Sequence, residues 1–396
     1  MAWGRTRLAV NVFGTFVVFM SFTALTWMNL IGRWAFGTAA AVIVIVCVGL
    51  VIQSKPDMRW WGAPKAVGLF VLYALLMVIL WPPGGQGSQD TLFGVAIIIA
   101  VTCIGLFLAL ALSWPELLRA MEHGLRWAIG LSLLFELVVA IFVRHPVAAL
   151  FTGVSGSGAA APMLSEANLF SGGPILGATG LELLPLTALF ALIVWSIRLG
   201  SSSWRLQRPT RRFWLIVWIV LAVITLVLTR SPAAIVGLGV VAVTFGFAIW
   251  GRTAGPAGRL PVYLVMTIVV AVGVAAAIVF TPEITAYFEH PFGAPSQASS
   301  APSWPGIWGQ LDVLGVVLLA MVFISSLWRA WFRAVDRAQV RPNERMRYQT
   351  SALLALLVVI LLLVASLTGG LLIAIAGGIW LITFATKSKL DVVITS

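Results

Sequence analysis

Acidic residues are scarce in this chain: 13 occur in 396 positions, beside 25 lysines and arginines. Charged residues make up 10% of it, where a soluble protein carries roughly 25%. That scarcity excludes a water-soluble globule, since too few polar groups exist to cover one, and it leaves lipid as the solvent. Cysteine is nearly absent too. Cys47 and Cys103 both sit inside apolar runs and read as small buried hydrophobes, with neither zinc spacing nor a disulfide framework. No P-loop, dinucleotide-binding glycine pattern, HExxH or Ser-His-Asp order is present, which removes the familiar soluble catalytic frameworks. No stretch free of apolar segments exceeds about thirty residues, and a soluble domain needs about fifty. A net charge of +12 would suit nucleic acid. The basic residues, however, lie in short loops between apolar runs, which is the distribution of a topology signal and not of a nucleic-acid site.

Apolar runs are what the chain has in abundance, with 61% of its residues hydrophobic. A helix needs about 20 residues to cross the hydrocarbon core of a bilayer. Runs of that order lie at about 8–30, 34–53, 66–82, 92–113, 126–143, 174–197, 213–229, 232–250, 261–281, 307–328, 349–367 and 369–386. The expectation is an all-α, polytopic transmembrane bundle of about twelve helices, one integral membrane domain over 1–396. The first run is too long for the apolar region of a signal peptide and no small-residue cleavage motif stands out, so an uncleaved first helix is expected. With both ends inside, the inner loops hold 22 of the 25 basic residues, including Lys65, Arg119, Arg126, Arg252, Arg329, Lys387 and Lys389. The outer side keeps only Arg33, Arg144 and Arg230. Positive residues collect on the cytoplasmic side of membrane proteins, so this alternation sets direction as well as count. Two long outer loops are expected, at about 144–173 and 282–306.

Ionisable groups inside a span are costly and mark functional sites. Glu136 lies in the fifth run, Glu182 in the sixth ahead of Pro185, and Asp312 near the start of the tenth. Each also has a structural reading: Glu136 as a partner for another helix's polar group, Asp312 as a solvated interfacial residue. Arg230 stands in the tight turn LTRSPAA between the seventh and eighth runs. Its guanidinium is a fixed fork suited to phosphate or diphosphate. Ser231 and Pro232 open the next helix, whose N-terminal amides also favour an anion. The alternative is an interfacial arginine reaching to lipid headgroups. His290, beside Glu289 in the second outer loop, has the pairing of a general base. His123 reads as an inner surface residue, and His145 follows Arg144 at the outer end of the fifth run.

Four stretches carry a resemblance. IGLFLALALSWPELLRAMEHGLRWAIGLSLLFELVVAIFVRHPV at 104–147, NLFSGGPILGATG at 168–180, LVLTRSPAAIVGLGVV at 226–241 and LWRAWFRAVDR at 327–337 resemble, in order, the O-antigen ligase and polysaccharide polymerase family, in its exopolysaccharide branch. The resemblance implies a membrane glycosyltransferase of about twelve helices in the bacterial plasma membrane. It would take a glycan from a polyprenyl diphosphate on the outer face and pass it to a glycan or lipid acceptor, with no metal, cofactor or nucleotide sugar. Arg230 would take the family's catalytic arginine role. Arg144, Arg33, Gly172, Gly173 and Ser231 would shape the site of the lipid diphosphate. The chain departs from the family where GLELL places Leu181 and Glu182 at positions usually held by asparagines, and in an outer loop of only about 25 residues. His290 or Glu182 would then replace the usual base. Three readings stay open: an active ligase or polymerase; an inactive relative acting as partner to envelope glycan-assembly proteins; and a transporter or flippase of an amphipathic substrate, coupled through Glu136 and Glu182.

Overall fold

In a computed structural model the described residues are 2–54, 64–80, 88–145, 147–148, 163–165, 209–229, 232–254, 258–279, 304–336, 350–369 and 375–394. Apart from one short strand pair, their regular structure is helical. The helices are α1 (Ala2–Ile31), α2 (Arg33–Ser54), α3 (Lys65–Leu80), α4 (Ser88–Ala111), α5 (Trp114–Val138), α6 (Pro209–Thr229), α7 (Pro232–Thr253), α8 (Arg259–Val279), α9 (Trp304–Trp331), α10 (Thr350–Gly369) and α11 (Ile375–Ile394). They occupy the places of eleven expected runs. The remaining run, 174–197, lies outside the described residues. Five stretches, Arg7–Ala24, Arg33–Ser54, Leu92–Ala111, Trp114–Val143 and Val313–Val335, are long and apolar enough to cross a membrane; five further apolar stretches are shorter.

The surface carries the solvent's signature. Large apolar side chains stand exposed along α2 (Val42, Ile45, Ile52), α3 (Leu69, Leu72, Ile79), α8 (Leu264, Ile268) and α9 (Val313, Leu314, Ile324). A soluble monomer does not expose apolar area on this scale; lipid covers it. Among the described residues the fold is helical apart from that strand pair, with helices suited in length and composition to a membrane.

The centre is formed late in the sequence. Every residue of α10 from 353 to 362 is buried, and so is α11 from 379 to 388. A helix apolar on all sides belongs inside a bundle. α10 packs on α7 and α9, while α11 packs most heavily on α4 and also on α1 and α9. Aromatic rings fill the middle. Phe22 stacks on Trp380 at 5.5 Å, Trp380 on Phe384 at 5.6 Å, and Phe384 on Trp114 at 6.2 Å. Close packing relies on glycine at two crossings. A Cβ at Gly105 would come within 2.9 Å of the Ile382 side chain, and one at Gly124 within 2.8 Å of Val18. Without a hydrophobic drive between helices in lipid, such small residues let backbones approach and gain dispersion contact.

Two boundaries differ from the sequence reading. The charged stretch before residue 126, expected as an inner loop, is the first half of α5. Ser113 and Glu116 form a capping box there, with Glu116 Oε2 accepting from the Ser113 amide at 2.8 Å, and Pro115 stands in the first turn. Glu122 is buried on this helix and pairs with Arg126 at 2.5 Å, whose guanidinium lies 5.8 Å from the Trp218 ring of α6. Lys387, expected in a solvated inner segment, is buried on α11. Its Nζ donates to the carbonyls of Ala109, at 3.0 Å, and Leu112, and sits 5.5 Å from the Trp114 ring. The C-terminal carbonyls of α4 have no intrahelical partner, and Lys387 supplies one.

Candidate functional site at the ends of α2 and α5

The fifth run ends unusually. After Val138 the helix widens into a π turn, Val139–Val143, closed by the Arg144 amide donating to Val139 O at 2.8 Å. Arg144 itself adopts φ 57° and ψ 17°, and it is the one non-glycine residue with positive φ among those described. The left-handed conformation costs an L-residue about 1–2 kcal/mol. π turns and such backbone outliers concentrate where function needs a side chain aimed against local preference. The side chain is held as well, because Arg144 Nε donates to Ile141 O at 2.9 Å. This bond leaves the rest of the fork at an exposed helix end. His145 follows, also exposed. Beyond it Val147–Ala148 pairs antiparallel with Met163–Ser165, with Val147 opposite Ser165. Arg144 and His145 are thus fixed between a helix terminus and a strand pair inside the expected outer loop. In the order RHP the residue pushed out of the α region by the proline is His145; nothing in residue type announces the left-handed Arg144.

Arg33 begins α2, after a turn in which Gly32 takes φ 83°. Its guanidinium carbon lies 5.5 Å from the Trp34 ring and 5.7 Å from the Phe93 ring of α4. Trp34 and Phe93 meet edge-on at 6.4 Å. A cation within about 6 Å of an aromatic face is held there, so Arg33 has a defined position. The bracketing rings were not foreseen from the sequence, because Phe93 is sixty residues away from Arg33.

Glu136 is buried on the stripe of α5 that also buries Leu125, Ile129 and Ser132. α5 packs chiefly on α1, so a carboxyl group stands at a helix interface within a candidate span. His123 is exposed, with Nδ1 2.8 Å from the Arg119 carbonyl, in keeping with a surface role. Arg230, Ser231, Glu182, Gly172, Gly173 and His290 lie outside the described residues. Arg230 and Ser231 fall between the described ends of α6 at Thr229 and α7 at Pro232.

The basic residues of the opposite end are brought together. Arg252 Nε donates to Ala334 O at 2.6 Å, joining the ends of α7 and of the π turn Phe332–Asp336 that follows α9. Lys389 lies beyond the last apolar run. Its ammonium is pushed below the usual lysine range by burial first, then by repulsion from Arg329 and Lys65. Residues from α3, α9 and α11 are therefore electrostatic neighbours.

These features define a helical membrane protein with arginines fixed at helix ends. Comparison of the chain with protein-family models, with curated proteins and with solved structures returns no match in any of the three.

Proposed function

We propose that this chain is a membrane glycosyltransferase of the O-antigen ligase and polysaccharide polymerase kind. It would cross a bacterial plasma membrane about twelve times with both ends inside. On the outer face it would transfer or polymerise glycan from a polyprenyl diphosphate onto a glycan or lipid acceptor, in cell-envelope or exopolysaccharide synthesis. The observation that carries this reading is Arg144, a guanidinium fixed by a π turn, a left-handed backbone and its own Nε bond. In the reaction the acceptor hydroxyl attacks the anomeric carbon, the bond to the diphosphate oxygen breaks, and the hydroxyl proton passes to a base. Cations fixed in advance stabilise the negative charge gathering on the leaving diphosphate without reorganising. Arg144 is suited to that work, with Arg230, Ser231 and Arg33 as further anion-binding groups, Gly172 and Gly173 leaving room for the lipid diphosphate, and His290 or Glu182 as the base. The topology draws support from contacts at the ends of runs expected on one side: Arg252 with Ala334, Lys387 with Ala109 near the end of the fourth run, and Lys389 near Arg329 and Lys65. Arg33 with Phe93 does the same for the other side.

The test is complementation. Cells lacking the gene receive wild type, Arg144→Ala or Arg230→Ala, and surface glycan length, its attachment and the pool of lipid-linked donor are measured. Both variants should lose surface glycan and accumulate donor. Unchanged glycan in both would sink the proposal.

A second reading rests on Glu136, whose burial within a candidate span suits a proton-coupled transporter or flippase of an amphipathic substrate. It requires ion-dependent uptake into proteoliposomes that Glu136→Gln abolishes while glycan transfer persists.

A further inference from the structure

A cavity of about 350 Å³ lies among α1, α2, α4 and α11, within the size range of about 300–1,000 Å³ that ligand sites occupy. Small residues open it: Gly37, Ala40, Ala96 and Ala100 line the walls given by α2 and α4. Among the described residues that line it, Ser21 is the one polar side chain, and its hydroxyl already donates to Val18 O at 2.7 Å. Water would find few partners there, and apolar cavities of this kind stay dry. The cavity also opens sideways. Ile45 and Ile99 line it while being 70% and 45% exposed on the lipid-facing surface. An occupant would therefore enter from the membrane, as hydrocarbon.

A cation lies beside the cavity, behind one of its walls. Phe93 is both a wall of the cavity and one of the two rings that seat Arg33. Trp34, the other, is 55% exposed, as a tryptophan at the membrane–water boundary is expected to be. A hydrocarbon slot walled by the ring that seats a fixed cation complements an amphiphile with an anionic head. We propose that the cavity holds an acyl chain of an anionic phospholipid whose phosphate is bound by Arg33. This lipid site shares Arg33 with the proposed glycan-transfer site, but its test reads lipid retention, so it stands or falls on lipid binding whether or not glycan transfer holds.

The experiment uses the full chain, reconstituted in vesicles of mainly phosphatidylcholine with a minor share of phosphatidylglycerol, re-extracted in mild detergent and weighed by native mass spectrometry. Wild type should retain one phosphatidylglycerol through washing, in preference to the more abundant phosphatidylcholine. Ala100→Phe, which fills the cavity, should lose retained lipid. Arg33→Gln should lower the preference for phosphatidylglycerol about tenfold, the equivalent of about 1.4 kcal/mol, without loss of helical content by circular dichroism. Ala40→Leu, a smaller intrusion, replaces Ala100→Phe should that variant fail to fold. Retention of lipid by a folded cavity-filling variant, or equal retention of phosphatidylcholine by wild type, would overturn the proposal.

Discussion

Replacing Arg144 in two ways separates its work in the fold from its work in the site. Arg144→Ala and Arg144→Gly both delete the guanidinium and its Nε bond to Ile141 O, so that loss cancels between them. They differ in the backbone. At φ 57° alanine keeps the left-handed penalty of about 1–2 kcal/mol, which glycine does not have. Glycine instead gives the unfolded chain more freedom, at about 0.4–1 kcal/mol. The glycine variant should therefore be the more stable by roughly 0.5–1 kcal/mol, the difference between those two terms. In a chain of this size that is a shift in thermal midpoint of no more than about 2 °C, within reach of intrinsic tryptophan fluorescence in detergent if the scans are paired. Surface glycan should respond otherwise, because neither variant can bind the diphosphate: both should lose it equally. If alanine proves as stable as glycine, the strain attributed to this residue is not there. If Arg144→Gly restores surface glycan, the fixed cation is not part of the chemistry.

Three further outcomes follow from packing and charge. Lys387→Met removes a buried donor from two helix-terminal carbonyls and leaves them unsatisfied, at about 1–3 kcal/mol each in desolvation; its thermal midpoint should fall well below that of Lys387→Arg, and equal midpoints would refute the capping role. Gly105→Ala and Gly124→Ala should each cost about 1–3 kcal/mol through overpacking, whereas Gly49→Ala, with open space around its Cβ, should be neutral or gain about 0.5–1 kcal/mol of helix propensity; a parallel loss in all three would deny the close crossings. Because the Lys389 ammonium is held below its ordinary 10.5, the folded state sheds that proton before the unfolded chain does, so stability rises as pH climbs through the lowered value towards 10.5. Lys389→Met should flatten that alkaline rise and be the more stable at neutral pH; an unchanged profile on equilibrium unfolding would count against the repulsion from Arg329 and Lys65.

The helices were legible because hydropathy reports membrane depth well: eleven runs have helices in their places, although α5 begins twelve residues before its run and α11 is shifted towards the C-terminus. What hydropathy cannot distinguish is one apolar surroundings from another. Along α10, Leu353, Leu356 and Leu361 are buried at the centre, yet by composition they equal Leu69 and Leu72 of α3, which face lipid. The charges ahead of residue 126 misled for a different reason. Arg119 and His123 are spaced to share the exposed face of a helix, and S-W-P-E with a proline in the first turn is a helix start; counting charge without its period turned a helix into a loop. The site was half legible. Arg33 and Arg144 stood out as rare cations on their assigned side. The rings that seat Arg33 and the backbone that turns Arg144 depend on long-range pairing and on a conformation that residue type alone disfavours.

The order of synthesis gives the central position of α10 and α11 a consequence for how the protein is made. α11 binds α4 through Thr383, whose hydroxyl lies 3.2 Å from Gly105 O, and through Lys387 to Ala109 O, both bridging 278 positions. Chains build from the N-terminus, and domains tend to assemble in that order. Here α1, α2, α4 and α5 can reach the bilayer long before the helix that fills the gap between them exists. Until then the last carbonyls of α4 wait for Lys387, and the grooves at Gly105 and by Phe22 stand open to lipid. A chain stopped before residue 379 would therefore lack the residues that fill the groove at Gly105, stack on Phe22 and cap α4, and its early helices would meet lipid where the finished protein meets α11.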